Sequence, residues 1–154
     1  MSTLVLGIGN TLLTDEGAGV HAANFLENNY GSLPQTTVVD GGTLSFTLLG
    51  LINDHDNLIV IDAAQLCASP GHIRTFIGPA MDQFIYNGKK QSVHEVGLAD
   101  LFAMTTLTGS LPKNRALIAV QPENMQWGEQ PSQRDEKAIP EICKQAAQLI
   151  EEWE

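Results

Sequence analysis

The chain has 154 residues, 43% of them hydrophobic, with a net charge of −10 and a pI near 4.6. That length fits one domain, residues 1–154, with a proper core, and is too short for two. The acidic balance argues against nucleic acid or an anionic membrane as partner, because a phosphate backbone wants a basic patch.

The two cysteines, Cys67 and Cys143, are far apart and in no C-x-x-C pattern, which excludes structural thiolate zinc and argues against a disulfide framework. Cys67, close to Asp62 in sequence, reads as a small buried hydrophobe, with a reactive thiol as the competing reading. Met1-Ser2-Thr3 runs straight into an apolar segment, so no signal peptide is expected. No apolar run approaches the roughly 20 residues of a membrane helix. The expected setting is therefore the cytoplasm.

In chain order, Leu4-Val5-Leu6 predicts a buried strand that breaks into the turn Gly7-Ile8-Gly9-Asn10. Two acids follow, Asp15 and Glu16, before a helix predicted from Gly17 to about Asn29. Thr36 to Val39 predicts a second strand ending in Asp40-Gly41-Gly42-Thr43, and Leu44 to Ile52 a helix. Leu58 to Ile61, apolar on both faces, predicts a central strand, and it ends in Asp62. His72 to Ile77 predicts an edge strand, and residues 78–91 a loop. A helix from about Val93 to Thr106, a strand from Ala116 to Val120 and a polar loop over 124–133 follow. A last helix then runs to the C-terminus, with Pro140 expected near its first turn. Repeated βα units of this size predict an α/β fold: a three-layer α/β/α sandwich with a mostly parallel, twisted sheet of about five strands.

Acids therefore follow three predicted strands, and in an open α/β sheet such ends face one crevice. Asp15 is well placed to cap the following helix, which leaves Glu16 open to a ligand role. Asp62 closes a fully apolar strand, where a charge needs a partner, although an acid there can also cap a helix. His94 sits in Ser92-Val93-His94-Glu95, a capping box that accounts for Ser92 and Glu95 and puts the imidazole in the first turn. The dipole favours the neutral, metal-binding form there, and a surface histidine is the competing reading. His21, His55 and His72 are weaker candidates. A Glu, an Asp and a His make a three-ligand set for zinc or nickel.

No G-x-S-x-G elbow, H-E-x-x-H or Walker A sequence occurs. Gly7-x-Gly9 raises a dinucleotide site as rival, with Asp40 at the ribose position. Against it, Leu12 occupies the third glycine position, and Asp15 and Glu16 would repel a pyrophosphate.

Taken together, G-I-G-N-T-L-L-T-D-E-G-x-G, D-G-G-T, V-I-D-A, V-H-E-x-G-L-A-D and Q-P-E, in this order, resemble the hydrogenase maturation proteases. The likeness covers nearly the whole chain and points to the branch serving membrane-bound or uptake nickel–iron hydrogenases. It implies a hydrolase with an α/β/α sandwich fold. Such an endopeptidase removes a short C-terminal extension from the hydrogenase large-subunit precursor after nickel insertion. It also implies a metal bound by Glu16, Asp62 and His94. Asp40 matches the acid of the D-G-G-T motif and is a candidate catalytic residue alongside Asp62. The metal could polarise the scissile carbonyl or activate a water. Alternatively, nickel arrives on the substrate and is recognised, with zinc or cadmium as other divalent ions the set could take in vitro. The expected partner is that precursor, with no nucleic acid or membrane, and the chain is expected to be a monomer. A nickel or precursor-binding assembly chaperone without catalysis is the alternative of a different class.

Overall fold

The computed structural model describes residues 1–42, 46–87 and 98–154. The strands are β1 (Thr3–Ile8), β2 (Thr36–Gly42), β3 (Asn57–Ala63), β4 (Ile73–Ile77) and β5 (Asn114–Val120). The helices are α1 (Ala18–Asn29), α2 (Leu48–Asn53), α3 (Pro79–Tyr86), α4 (Leu98–Leu107) and α5 (Gln133–Glu152), with a 3-10 turn, Thr14–Gly17, ahead of α1. The strands form one sheet in the order β2-β1-β3-β5-β4, parallel except for β4. The α/β sandwich with a mostly parallel five-stranded sheet is thus the observed fold.

Side-chain alternation explains the two cores. Leu4, Leu6, Leu58, Val60 and Leu117 face α2, α3 and α4. Val5, Ile59, Ile61, Ala116 and Ile118 face α1 and α5. All seven residues of β3 are buried, as a central parallel strand requires. Its edge positions carry Asn57, which accepts from the Asn114 side chain at 3.0 Å and donates to Thr3 Oγ1 at 3.1 Å. These three residues stand in register across β1, β3 and β5 and satisfy one another inside the amino edge of the sheet.

The chain leaves β1 towards β2 and reaches β3 on the other side, so the strand order reverses between β1 and β3. At such a switch point the outgoing loops part and leave a crevice at the carboxyl edge.

Four expectations change. Residues 79–86 form α3 rather than loop: Gly78 takes a positive φ of 59° and Pro79 starts the helix, where its missing N–H costs nothing. The helix expected over 44–52 is the shorter α2, with residues 43–45 outside the described set. Pro140 lies well inside α5, which begins at Gln133. It is tolerated because Pro140 and Glu136, whose carbonyl loses a donor, both face solvent. Finally, Cys67 is exposed, on a residue with φ of 54°, and only Cys143 is buried.

Candidate active site at the carboxyl edge of the sheet

Glu16 and Asp62 follow or end the two strands that flank the switch point, β1 and β3. The 3-10 turn that carries Glu16 packs against β3, whose sixth residue is Asp62. Both are buried, at 1% and 0% exposure. The approach depends on glycine. A Cβ at Gly9, whose φ is 142°, would overlap the Glu16 carbonyl oxygen, and one at Gly19 would overlap the carbonyls of Ile8 and Ile61. The turn can rest directly on the strand ends only because neither side chain exists.

No helix starts after Asp62; β3 continues to Ala63, and the Ala64 N–H donates to Val120 O at 3.0 Å. The helix-cap reading of Asp62 therefore does not hold. By strand alternation Asp62 lies on the face of Val60, towards α2 and α4. Two buried carboxylates supply hard oxygen donors suited to a divalent cation. Among the described residues no three His, Cys, Asp or Glu side chains are grouped so as to hold a metal. His94, the third expected ligand, lies outside the described residues, as do Ser92, Glu95 and Thr43.

Asp40 differs from this pair. It sits on the edge strand β2, opposite Gly7 of β1, which in turn pairs with Ile61. Its position shares the sheet face of Val38 and Ile61 rather than that of Asp62. It is exposed, and one carboxylate oxygen accepts the Gly42 N–H at 2.8 Å. Two strand spacings, on the order of 10 Å, separate the strands bearing Asp40 and Asp62.

Asp15 does not cap α1, whose N-cap is Gly17 with no side-chain hydrogen bond. Its carboxylate instead accepts three backbone N–H groups from beyond β5: Glu123 at 2.8 Å, Asn124 at 2.9 Å and Ser132 at 2.6 Å. Capping lost because the tertiary loop offers three donors where a helix end would offer one or two. Gln121 performs a similar task for the loop after β3. Its buried side-chain oxygen accepts from Leu66 N at 2.7 Å, while its amide donates to Pro122 O.

Asp135 is a buried acid near Asp15 that the sequence reading does not single out. It is fully buried in the first turn of α5, and its carboxyl is pushed up to about 7. Burial is the main cause, followed by the charges of Asp15 and Glu123. The Gly71 N–H pulls the other way but is already committed to Gln121 O at 2.9 Å. Ser132-x-x-Asp135 is the pattern of a capping box, which was the signal available. In the fold the Ser132 N–H that would satisfy Asp135 goes to Asp15 instead. Cys143 donates to Ala22 O at 3.1 Å, and burial pushes its thiol up to about 12, so it is no nucleophile. His55 bridges Leu51 O and Thr37 Oγ1, a structural role far from the carboxyl edge.

Residues 20–149 match the family model described as hydrogenase maturation protease. The chain is 32% identical over 151 residues to the hydrogenase expression/formation protein HupD of Rhizobium leguminosarum bv. viciae, covering 97% of this chain and 74% of that protein. It is 37% identical over 127 residues to the hydrogenase 2 maturation protease of Escherichia coli, covering 82% and 76%. Its fold superposes on the hydrogenase maturating endopeptidase HybD from E. coli with a TM-score of 0.90 at 33% identity, over 99% of this chain and 93% of that one. On this sequence and structural likeness, the chain belongs to the hydrogenase maturation protease family and is a hydrolase, an endopeptidase of hydrogenase maturation.

Proposed function

We propose that the substrate is the large-subunit precursor of a nickel–iron hydrogenase, and that the enzyme removes its C-terminal extension after nickel insertion. The observation that carries this reading is the packing of the turn that bears Glu16 against β3, which bears Asp62, with both carboxylates buried. Two hard oxygen ligands with open positions suit a metal ion that arrives from elsewhere, held by the substrate's own thiolates. In this reading Glu16, Asp62 and His94 complete the coordination of substrate nickel, and an unloaded precursor is rejected because nothing bridges it to the enzyme. Zinc or cadmium would occupy the same ligands in vitro.

Peptide hydrolysis requires a water activated near the fixed carbonyl. Asp40 is exposed and held by the Gly42 N–H, so it can meet a substrate laid across the sheet edge. In the proposed step its carboxylate takes a proton from water as the oxygen bonds to the scissile carbonyl carbon. The tetrahedral species collapses, the C–N bond breaks, and the proton passes to the departing amine. Asp62 acts by ligating the ion that positions this carbonyl. The enzyme is proposed to act as a monomer in the cytoplasm; among the described residues no helix is long and apolar enough to cross a membrane.

The test is mass spectrometry of a nickel-loaded precursor incubated with wild type, Glu16→Gln and Asp40→Asn. Loss of one discrete C-terminal peptide with wild type is expected. Glu16→Gln should slow it at least about 100-fold, and Asp40→Asn by a comparable or larger factor. Equal cleavage of nickel-free precursor would remove nickel recognition. A stable, uncleaved complex with wild type would make the protein a chaperone for its partner.

A further inference from the structure

Leu12, Met125 and Trp127 are 50%, 43% and 80% exposed, and all three lie on two loops that the fold has tied together beside Glu16. Leu13 pairs with Gly128 in a parallel bridge, Gly128 N–H donates to Leu12 O at 2.9 Å, and Thr14 N–H donates to Gly128 O at 2.8 Å. The parallel pairing of Leu13 with Gly128 brings the segments that carry the preceding residues, Leu12 and Trp127, next to each other. The buried Asp15 carboxylate fixes both ends of the same loop through Glu123, Asn124 and Ser132. Thr14 is held at a φ of 45°, a strained position for a residue with a branched side chain, and the ties around it maintain it.

A solvent-facing indole on an untethered loop would mean little. The backbone that carries this one is tied at Gly128 before any partner arrives, so docking on it need order little main chain. Large aromatic side chains on a preformed surface are the usual anchors of protein interfaces. Leu12 is four residues from Glu16 along the chain, which puts this surface beside the turn that carries Glu16. Glu123 and Glu129 flank Met125 and Trp127 and are exposed. The surface thus matches an extended segment with an apolar side chain between Lys or Arg residues.

We infer that Leu12, Met125 and Trp127 form the docking rim for the precursor, seating an apolar, base-flanked segment next to the scissile bond. This rests on the substrate assignment above and adds the element that sets affinity rather than chemistry.

The experiment uses the full chain labelled with 5-fluorotryptophan, so that Trp127 and Trp153 are read by 19F NMR, and the nickel-loaded precursor as probe. In parallel, cleavage kinetics are measured for Trp127→Ser, Leu12→Ser and, as control, Leu107→Ser. Leu107 is 81% exposed, but it ends α4, at the opposite edge of the sheet. Precursor should shift or broaden the Trp127 resonance and leave Trp153 unchanged. Trp127→Ser should raise KM about tenfold with kcat within about twofold, Leu12→Ser should act in the same direction, and Leu107→Ser should match wild type. Cleavage that proceeds with an unmoved Trp127 resonance and an unchanged KM overturns the rim and leaves the protease assignment standing. A moved resonance without cleavage retains the rim and overturns the assignment. An unmoved resonance without cleavage overturns both.

Discussion

The Asp15 carboxylate and the Ser132 N–H lie 117 positions apart in sequence and 2.6 Å apart in space. That bond, with those to Glu123 and Asn124, ties the turn bearing Glu16 to the segment that leads from β5 into α5. The first residues of the protein and its last helix are therefore one mechanical unit around the candidate site.

Asp15→Ala should leave three backbone donors without their acceptor in a buried setting. The expected cost is about 3 kcal/mol of stability, read from urea midpoints. Limited proteolysis should show new cleavage between residues 122 and 132. An unchanged midpoint would mean that water replaces the carboxylate without loss.

Asp135 predicts a pH effect with a definite sign. Its carboxyl titrates near 7 in the fold against an ordinary 3.8, so the native state holds a proton that the unfolded chain has released. Stability therefore falls as pH rises from about 4 towards 7, and the penalty is complete above that. Asp135→Asn should gain about 2 kcal/mol at pH 8 and much less at pH 4. Thermal melts at the two pH values check this, with about 5 °C expected at the upper one. A uniform shift at both pH values would refute the titration argument.

Gly19→Ala places a methyl group against the carbonyls of Ile8 and Ile61. Backbone cannot yield as a flexible side chain would, so α1 must move away from the sheet, taking Glu16 with it. About 2–4 kcal/mol of destabilisation is expected. Precursor cleavage should fall by more than the loss of folded protein explains, measured below the melting temperature.

Asn57→Ala supplies the contrasting case. It breaks the Thr3–Asn57–Asn114 network at the amino edge of the sheet and should cost about 2 kcal/mol. Its kcat should match wild type, because the site lies at the other edge. A drop in kcat at full folding would show that strand displacement is transmitted along β3.

The periodic parts of the fold were legible. Leu58 to Ile61 announces a central strand by its unbroken apolar run, and β1 and β5 follow the same logic. Residues 79–86 were missed because eight residues give too few turns for a helical period to stand out, although Gly78-Pro79 marks a start. In the site, Glu16 and Asp62 were readable as acids after strands, and their joint burial follows from topology. The partner of Asp15 was not readable. Its three donors are backbone groups over a hundred residues away, and backbone N–H groups leave no mark in a sequence. Asp135 had a local signature, but its displacement by Asp15 is a tertiary event. Cys67 does not follow its apolar neighbours because burial persists past the end of β3 at Ala64 and Leu66, and the residue after them turns outward.

Strand β3 pairs with β5 through its entire buried length and with β1 from Asn57 to Ile61, and Asp62 is one rung of the ladder with β5. A slip of one residue would carry Asp62 to the opposite face and send Leu58 and Val60 away from their core as well. Misplacing the carboxylate by a single position is thus inseparable from wrecking two layers of packing. The hydrocarbon around β3 serves as a proofreader: a molecule that has folded at all has its acid pointing the right way.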